Sequence, residues 1–270
     1  MKLAGRAAVV TGAASGIGRA TGLALARRGC NLALADLDSE GLAESASAAR
    51  SHGATVTTHR LDVADRAAVA AFPDAVLAAH GRADLLFNNA GVAIGGTFEQ
   101  VAEEDFDWLM EINFWGVVRT TRAFLPLLRA SDRARIVNIS SIFGIIAPPG
   151  QTAYSASKFA VRGFSESLRR ELEAEGSTVG VTVVHPGGVN TSIARSARPP
   201  RGINDPTLEA QKAEFQKFLR MPAEKAGEII VAGVEKERPR VLVGGDARFM
   251  AIVERLAPVS YWKLLGRALK

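Results

Sequence analysis

Seven short apolar runs, separated by longer stretches of helical character, constrain the fold of this chain more than any other feature. The runs are Ala7–Thr11, Asn31–Asp36, Thr55–Arg60, Ala83–Asn88, Arg135–Ser140, Val179–His185 and Arg240–Gly244. Between them lie Ile17–Arg28, Ser39–Ser51, Arg66–His80, Glu103–Leu128, Ala153–Glu175 and Glu224–Glu235. Strands that alternate with helices pair in parallel, because each crossover helix returns the chain to the same end of the sheet. The pattern predicts an α/β fold, a parallel sheet of about seven strands covered on both faces. Gly29, Gly53, Gly81 and Gly176 stand where helices should end. With 270 residues, 47% of them hydrophobic, the chain has the apolar material for one well-buried core.

Two segments depart from this rhythm. Residues 192–222 form a long connection around Pro199-Pro200, with a short helix expected over Thr207–Leu219. Connections of this length in compact folds are often lids or binding loops. After Gly245 comes a tail that reads as a helix over Arg248–Leu256, then Pro258, then Tyr261-Trp262 and a basic-apolar end. The expected organisation is one domain over 1–245, including the 192–222 lid, followed by a helical extension over 246–270.

The first strand runs into Thr11-Gly12-Ala-Ala-Ser15-Gly16-Ile17-Gly18, which opens a helix. Glycines permit the tight turn and let backbone approach a phosphate closely. The helix start offers free N–H groups and a positive dipole end to a pyrophosphate. A glycine-rich loop alone is weak evidence. Here it follows a strand, opens a helix and precedes an acidic residue by roughly 20 positions, as in Rossmann-type doubly wound sheets. That residue, Asp36, can accept hydrogen bonds from ribose hydroxyls and would repel a 2′-phosphate. Leu37 after it and Ser15 in the loop supply no cation for such a phosphate. The reading is NAD(H) in preference to NADP(H); the competing reading of Asp36 is a helix cap or turn residue.

Tyr154 and Lys158 stand four apart in Tyr-Ser-Ala-Ser-Lys, on one face of a helix. A positive charge beside a phenol lowers its pKa, so the pair reads as a proton donor and acceptor. Ser141 lies upstream in Asn138-Ile-Ser-Ser. Together these residues resemble the short-chain dehydrogenase/reductase family, in its branch of about this length, over nearly the whole chain to Gly244. The resemblance rests on the Thr11–Gly18 loop, Asp62-Val63, Asn88-Asn89-Ala90-Gly91, Asn113, Ser141, Tyr154 with Lys158, and Pro186-Gly187. Ser141 stands 13 positions before Tyr154, the family's usual spacing, which Ser140 does not meet.

The resemblance implies a division of labour. Tyr154 passes a proton to or from the substrate oxygen, and Ser141 hydrogen-bonds that oxygen. Lys158 lowers the tyrosine pKa and holds the nicotinamide ribose. Asn113 holds a water that relays protons; the competing reading is a polar residue bonding backbone at a helix irregularity. Asp62 and Val63 receive the adenine. Backbone near Val189 and the Thr191 hydroxyl contact the carboxamide. The resemblance also implies a homodimer or homotetramer, with Glu103–Leu128 and Ala153–Glu175 at one interface.

The loops that set specificity in this fold are apolar here: Val92–Phe98 and Ile142–Pro149, with Ile193, Ile203 and Phe215 from the lid. They suggest a lipophilic secondary alcohol or ketone, unless they only pack the lid against the body. The alternatives are reduction of a 3-oxoacyl thioester on an acidic carrier received by Arg195, Arg198 and Arg201, and a non-catalytic dinucleotide sensor. Net charge is +5, and residues 195–270 carry 15 Lys and Arg against 9 Asp and Glu. That excess is either a solvated surface or a response to an anionic neighbour. Phe249, Met250, Ile252, Val253 and Leu256, then Tyr261, Trp262, Leu264, Leu265 and Leu269, alternate with Arg255, Lys263, Arg267 and Lys270 in the tail, which could anchor at a membrane interface, meet a subunit or cover the pocket.

Cys30 is the only cysteine, so no internal disulfide or thiolate metal cluster can form; it reads as a buried structural thiol. His52, His59 and His80 read as surface residues, and His185 as structural. No His/Asp/Glu spacing suggests a metal site, and nothing suggests a nucleic-acid reader. The chain enters its first strand at once, and no run of ~18 apolar residues occurs. A cytoplasmic enzyme is the expectation, with peripheral membrane contact left open.

Overall fold

The computed structural model describes residues 1–193, 196–199, 216 and 219–268. The elements in order are β1 (Ala7–Thr11), α1 (Gly16–Ala26), β2 (Asn31–Asp36), α2 (Ser39–Arg50), β3 (Val56–Arg60), α3 (Arg66–His80) and β4 (Leu85–Asn88). Then come α4 (Glu103–Met110), a π-helical turn (Glu111–Trp115), α5 (Gly116–Arg129) and β5 (Ala134–Ile139). A 3-10 turn (Ile142–Gly144), α6 (Thr152–Ala174), β6 (Val179–Pro186), β7 (Val189–Asn190) and β8 (Met221–Pro222) follow. The chain closes with α7 (Ala223–Glu235), β9 (Arg240–Val243), α8 (Gly245–Leu256) and α9 (Tyr261–Ala268).

Seven strands form one parallel sheet in the order β3-β2-β1-β4-β5-β6-β9. The apolar runs are buried from end to end in β1, β4 and β5, as central strands covered on both faces should be. One core lies under α1, α2 and α7, around Leu25, Leu32, Leu34 and Ile230. The other lies under α3, α5 and α6, around Phe72, Leu86, Phe124 and Ile136. Chain direction across the sheet reverses between β1 and β4, and in such sheets a crevice opens there beyond the carboxyl ends of the strands.

All seven expected strands are present, with ends shifted by a residue or two. The expected helix Glu103–Leu128 is interrupted by the π turn, with Asn113 at its centre. Gly29, Gly53, Gly81 and Gly176 all adopt positive φ after helices. Cys30 is buried and its thiol donates to Leu3 O at 3.2 Å. His59 and His80 are not simple surface residues: both are half-buried and share Thr57 Oγ1, at 2.8 and 2.9 Å. Of the helix expected over Thr207–Leu219 only Gln216 and Leu219 are described, and the residues Arg195, Pro200, Arg201, Ile203 and Phe215 lie outside the described residues.

A buried polar network fixes the helices to the sheet beneath the crevice. Asn88 Nδ2 donates to Thr121 Oγ1 (2.9 Å) and Asn138 Oδ1 (2.8 Å), and Asn88 Oδ1 accepts from Thr120 Oγ1 at 2.6 Å. Asn138 Nδ2 in turn donates to Ser165 Oγ at 2.8 Å. The network thereby ties β4 and β5 to α5 and α6. Truncating Asn88 takes the partner from Thr121 Oγ1 and Asn138 Oδ1, each loss costing about 1–3 kcal/mol. Asn88→Ala is expected to lower stability by about 3 kcal/mol in denaturant unfolding, with an unchanged m-value.

Candidate functional site

The loop after β1 is shaped by backbone contact. Gly12 has φ +67°, and a Cβ there would lie 2.8 Å from Ala90 Cα; one on Gly18 would lie 1.9 Å from Gly12 O. Only glycine allows either approach. Asn89 locks the arrangement, its Nδ2 donating to Thr11 O and Gly12 O, both at 3.0 Å. Thr11 Oγ1 accepts from the N–H groups of Asn89 and Ala90 at 3.1 Å. Ser15 takes the N-cap position of α1 without a side-chain capping bond, so no hydroxyl covers the first-turn N–H groups. Uncapped N–H groups at the positive end of a helix fit an anion such as a pyrophosphate. A cleft of about 240 Å³ adjoins this turn, lined by Ser15, Gly16, Arg19, Thr191 and Glu224 among others.

On the β2 side, Asp36 is half-buried and Leu37 is 51% exposed. Asp36 Oδ2 accepts from Ala14 N (2.9 Å) and Oδ1 from Asp38 N (3.2 Å), so the carboxylate also braces the glycine-rich loop. The helix cap of α2 is Asp38, not Asp36. Arg19 reaches the same loop through Ala14 O (2.9 Å), but Ser45 Oγ (2.9 Å), Gly41 O (3.2 Å) and Glu44 Oε2 (2.8 Å) hold its guanidinium. After β3, Asp62 Oδ1 accepts from Ala64 N at 2.8 Å, and Val63 packs against Gly116.

On the β5 side the two adjacent serines diverge. Ser140 Oγ donates to Lys158 O at 2.8 Å and faces α6. Ser141 Oγ accepts from Phe143 N at 3.1 Å, and its hydroxyl is near enough to the Tyr154 phenol to pull that group's pKa down. Lys158 Nζ donates to Ile139 O at 3.2 Å and lies 5.6 Å from the Tyr154 ring centre. Asn113 Nδ2 donates to Val92 O (2.9 Å) and Ser157 Oγ (3.2 Å), while Oδ1 accepts from Val92 N at 2.8 Å. Both amide protons are thus used in bonding at the helix irregularity. A Cβ on Gly91 would lie 3.1 Å from Asn113 Oδ1 and 3.5 Å from Lys158 Nζ, so the two polar groups converge on that glycine.

In the chain without a bound dinucleotide, burial outweighs any charge effect of Lys158 on Tyr154. Burial pushes the phenol up to about 12, against a smaller lowering by the Ser141 hydroxyl. Burial likewise pushes the Lys158 ammonium down to about 8. The i,i+4 spacing places the groups together, but both are desolvated, and desolvation disfavours the charged form of each.

After β6, Pro186 and Gly187 turn the chain, Val189 is buried in β7, and Thr191 packs on the Gly16 turn. The contacts of two residues here escape sequence reasoning. Asp246, in the first turn of α8, accepts from Gly188 N at 2.6 Å and pins this loop; its position depends on the tail folding back. Arg198 donates to the buried Asp105 Oδ1 at 2.9 Å and stacks 3.6 Å above the Trp108 ring centre. Its backbone N–H donates to Ala93 O at 3.0 Å, so it fastens the connection after β7 onto the Val92–Phe98 loop.

His185 has the structural place expected of it. It is fully buried, with Nδ1 2.9 Å from Ser141 O, and burial pushes its pKa down to about 3.

Every expected residue thus lies at the carboxyl ends of the strands, except those carried by helices that face the same edge. Asp36 and Asp62 fall on the β2–β3 side of the reversal, and Ser141, Tyr154 and Lys158 on the β5–β6 side. The short chain dehydrogenase family model matches residues 6–202. The SadH protein of Mycobacterium tuberculosis is 46% identical over 262 residues, covering 97% of this chain and 94% of that one. A Burkholderia phymatum short chain dehydrogenase/reductase in complex with NAD superposes with TM-score 0.88 at 32% identity, 95% of each chain being covered. A metagenomic short-chain oxidoreductase in complex with NADP gives 0.64 at 37% identity, over 69% of this chain and 84% of that one. The chain belongs to the short-chain dehydrogenase/reductase family. It is an oxidoreductase with a nicotinamide-dinucleotide-binding fold that acts on small molecules.

The His185 geometry sets a pH dependence. A histidine with an ordinary pKa near 6.5 unfolded and about 3 folded contributes stability that is full above 6.5 and lost as pH falls toward 3. Denaturant unfolding between those limits should show a loss on the order of 4 kcal/mol from this group. The slope should be much reduced in His185→Gln.

Proposed function

We propose that this chain is an NAD(H)-dependent oxidoreductase that interconverts a secondary alcohol and a ketone on a lipophilic substrate. The observation that carries the reading is the convergence of the Tyr154 phenol and the Ser141 hydroxyl, with Lys158 and Asn113 behind them, at the crevice edge. When bound, the nicotinamide supplies or takes up the hydride.

The remaining chemistry belongs to the chain. Burial keeps the Tyr154 phenol protonated, so it meets a carbonyl oxygen as a donor and passes its proton as charge develops there. Ser141 donates a hydrogen bond to the same oxygen and fixes its position. His185 holds the backbone of Ser141 so that this hydroxyl faces the phenol. Lys158 is the next proton carrier inward, and Asn113 offers an acceptor oxygen toward it. In oxidation the same groups run in reverse. Tyr154→Phe should lower turnover at least ~100-fold while leaving NADH affinity within about twofold. Unchanged turnover would remove the phenol from the mechanism.

The uncapped turn of α1, with Gly12, Gly16, Ile17 and Gly18, fits the pyrophosphate. Asp36 fits the adenosine ribose, Asp62 and Val63 the adenine, and Asn89, Ala90 and Gly91 the nicotinamide side. Pro186, Gly187, Val189 and Thr191 border the carboxamide. The commitment of Arg19 to Glu44 leaves Asp36 and Leu37 to set the preference for NAD(H). Asp36→Ser should weaken NADH binding about tenfold and narrow the gap to NADPH; tighter binding of NADPH by the unmodified protein would overturn the preference.

A lipophilic substrate is supported by the apolar walls around Tyr154. Phe143 meets its ring edge-on at 6.2 Å, and Val92 and Ile94 pack in the same cluster. Phe98 on the adjoining loop is 71% exposed. Bulky apolar ketones should be turned over with kcat/KM at least ~10-fold above small polar ones. Equal turnover of the polar set would sink the substrate reading alone. A dimer or tetramer with the long helices at one interface is also part of the proposal. Trp115 on the π turn and Phe159 on α6, 47% and 39% exposed, support it.

A further inference from the structure

The tail helices α8 and α9 have two faces. The inner face covers the Ile142–Ile146 segment with Ala247, Met250, Tyr261, Trp262 and Leu265. Tyr261 Oη accepts from Ala147 N at 2.9 Å, which fastens the tail to the rim of the apolar loop. Among the described residues the outer face has no partner. Phe249, Ile252 and Leu256 are 57%, 58% and 80% exposed, and beyond them Val259 and Leu264 are 95% and 51% exposed.

These positions form a single stripe. At about 100° per residue, Phe249, Ile252 and Leu256 fall within an arc of about 60° on α8. Arg248 and Arg255, both exposed, lie together along one flank, within about 60° of Ile252. The two acids of α8 lie off the arginine flank, about 100° or more round the helix from it. Asp246 is bonded to Gly188 N, and Glu254 is half-buried on the body side, where it faces Arg240.

We infer that this outer face docks on an anionic lipid surface. The apolar stripe would enter the headgroup boundary, with Arg248 and Arg255 at the depth of the phosphates. Charge decides against a second copy of the chain. An antiparallel pairing of two stripes sets Arg248 and Arg255 of both copies along one flank, while the exposed Asp246 lies on the opposite flank and Glu254 is half-buried, so like charges face like. No described helix is long and apolar enough to cross a membrane, so the contact is a surface one. The same strip of chain links this face to the pocket rim: Gly96, two residues before Phe98, bridges to Gln151, and Ala147 is held by Tyr261. The inference stands on the tail alone and does not depend on the nature of the substrate.

Flotation of the full chain with vesicles of phosphatidylcholine, with and without phosphatidylglycerol, tests it. The protein should float with the anionic vesicles and release in high salt. Phe249→Ser, Ile252→Ser and Leu256→Ser combined should reduce flotation at least ~10-fold, and Arg248→Glu with Arg255→Glu should abolish the preference for phosphatidylglycerol. Melting temperature and NADH affinity should stay unchanged in both variants, since the altered side chains are exposed. Absence of flotation by the unmodified protein, or equal flotation by the triple variant, would overturn the inference. A triple variant that lowers the oligomeric mass by light scattering, without any flotation of the parent, would assign the face to a second copy instead.

Discussion

The structure depends on one contact, the clamp between the loop after β1 and the end of β4. Asn89 gives both amide protons to Thr11 O and Gly12 O, and Thr11 Oγ1 takes the N–H groups of Asn89 and Ala90. These bonds close the sheet reversal from above, with Gly12 pressed against Ala90. Everything on the β2–β3 side and everything on the β5–β6 side is positioned relative to that seam. The buried Asn88–Asn138 network carries the same registration down to α5 and α6, and so to Tyr154 and Lys158.

Burial is the second theme. Tyr154, Lys158 and His185 are all displaced toward their neutral forms, and each neutral form suits its place. A protonated phenol can donate; a neutral imidazole holds a backbone carbonyl without bringing a charge into the core; an amine titrating near 8 can exchange a proton. Sequence spacing argues from the charge of a neighbour, whereas the folded pocket is governed by loss of water.

Much of this was legible before folding. The seven strands stand out because central parallel strands are apolar on both faces. The glycine-rich turn, Asp36 and the Ser141–Tyr154–Lys158 spacing were readable because each is local. What escaped is long-range or lacks a compositional signature. A helix irregularity at Asn113 was one of two readings of that residue, but its form as a π turn has no propensity signal. The β7–β8 pair joins residues about 30 positions apart through two residues each. Asp246 bonds Gly188 only because α8 folds back over β6, and Arg198 stacks on Trp108 only because the connection after β7 crosses α4.

The central claim is that one crevice brings a dinucleotide held on the α1 turn to a substrate oxygen held by Ser141 and Tyr154. A crystal structure with NAD(H) and an unreactive ketone analogue tests it most directly. The account predicts the pyrophosphate on the N–H groups of Gly16–Gly18, and the analogue's oxygen within hydrogen-bond distance of both hydroxyls. A dinucleotide seated away from the α1 turn, or an oxygen bound by neither Ser141 nor Tyr154, would contradict it.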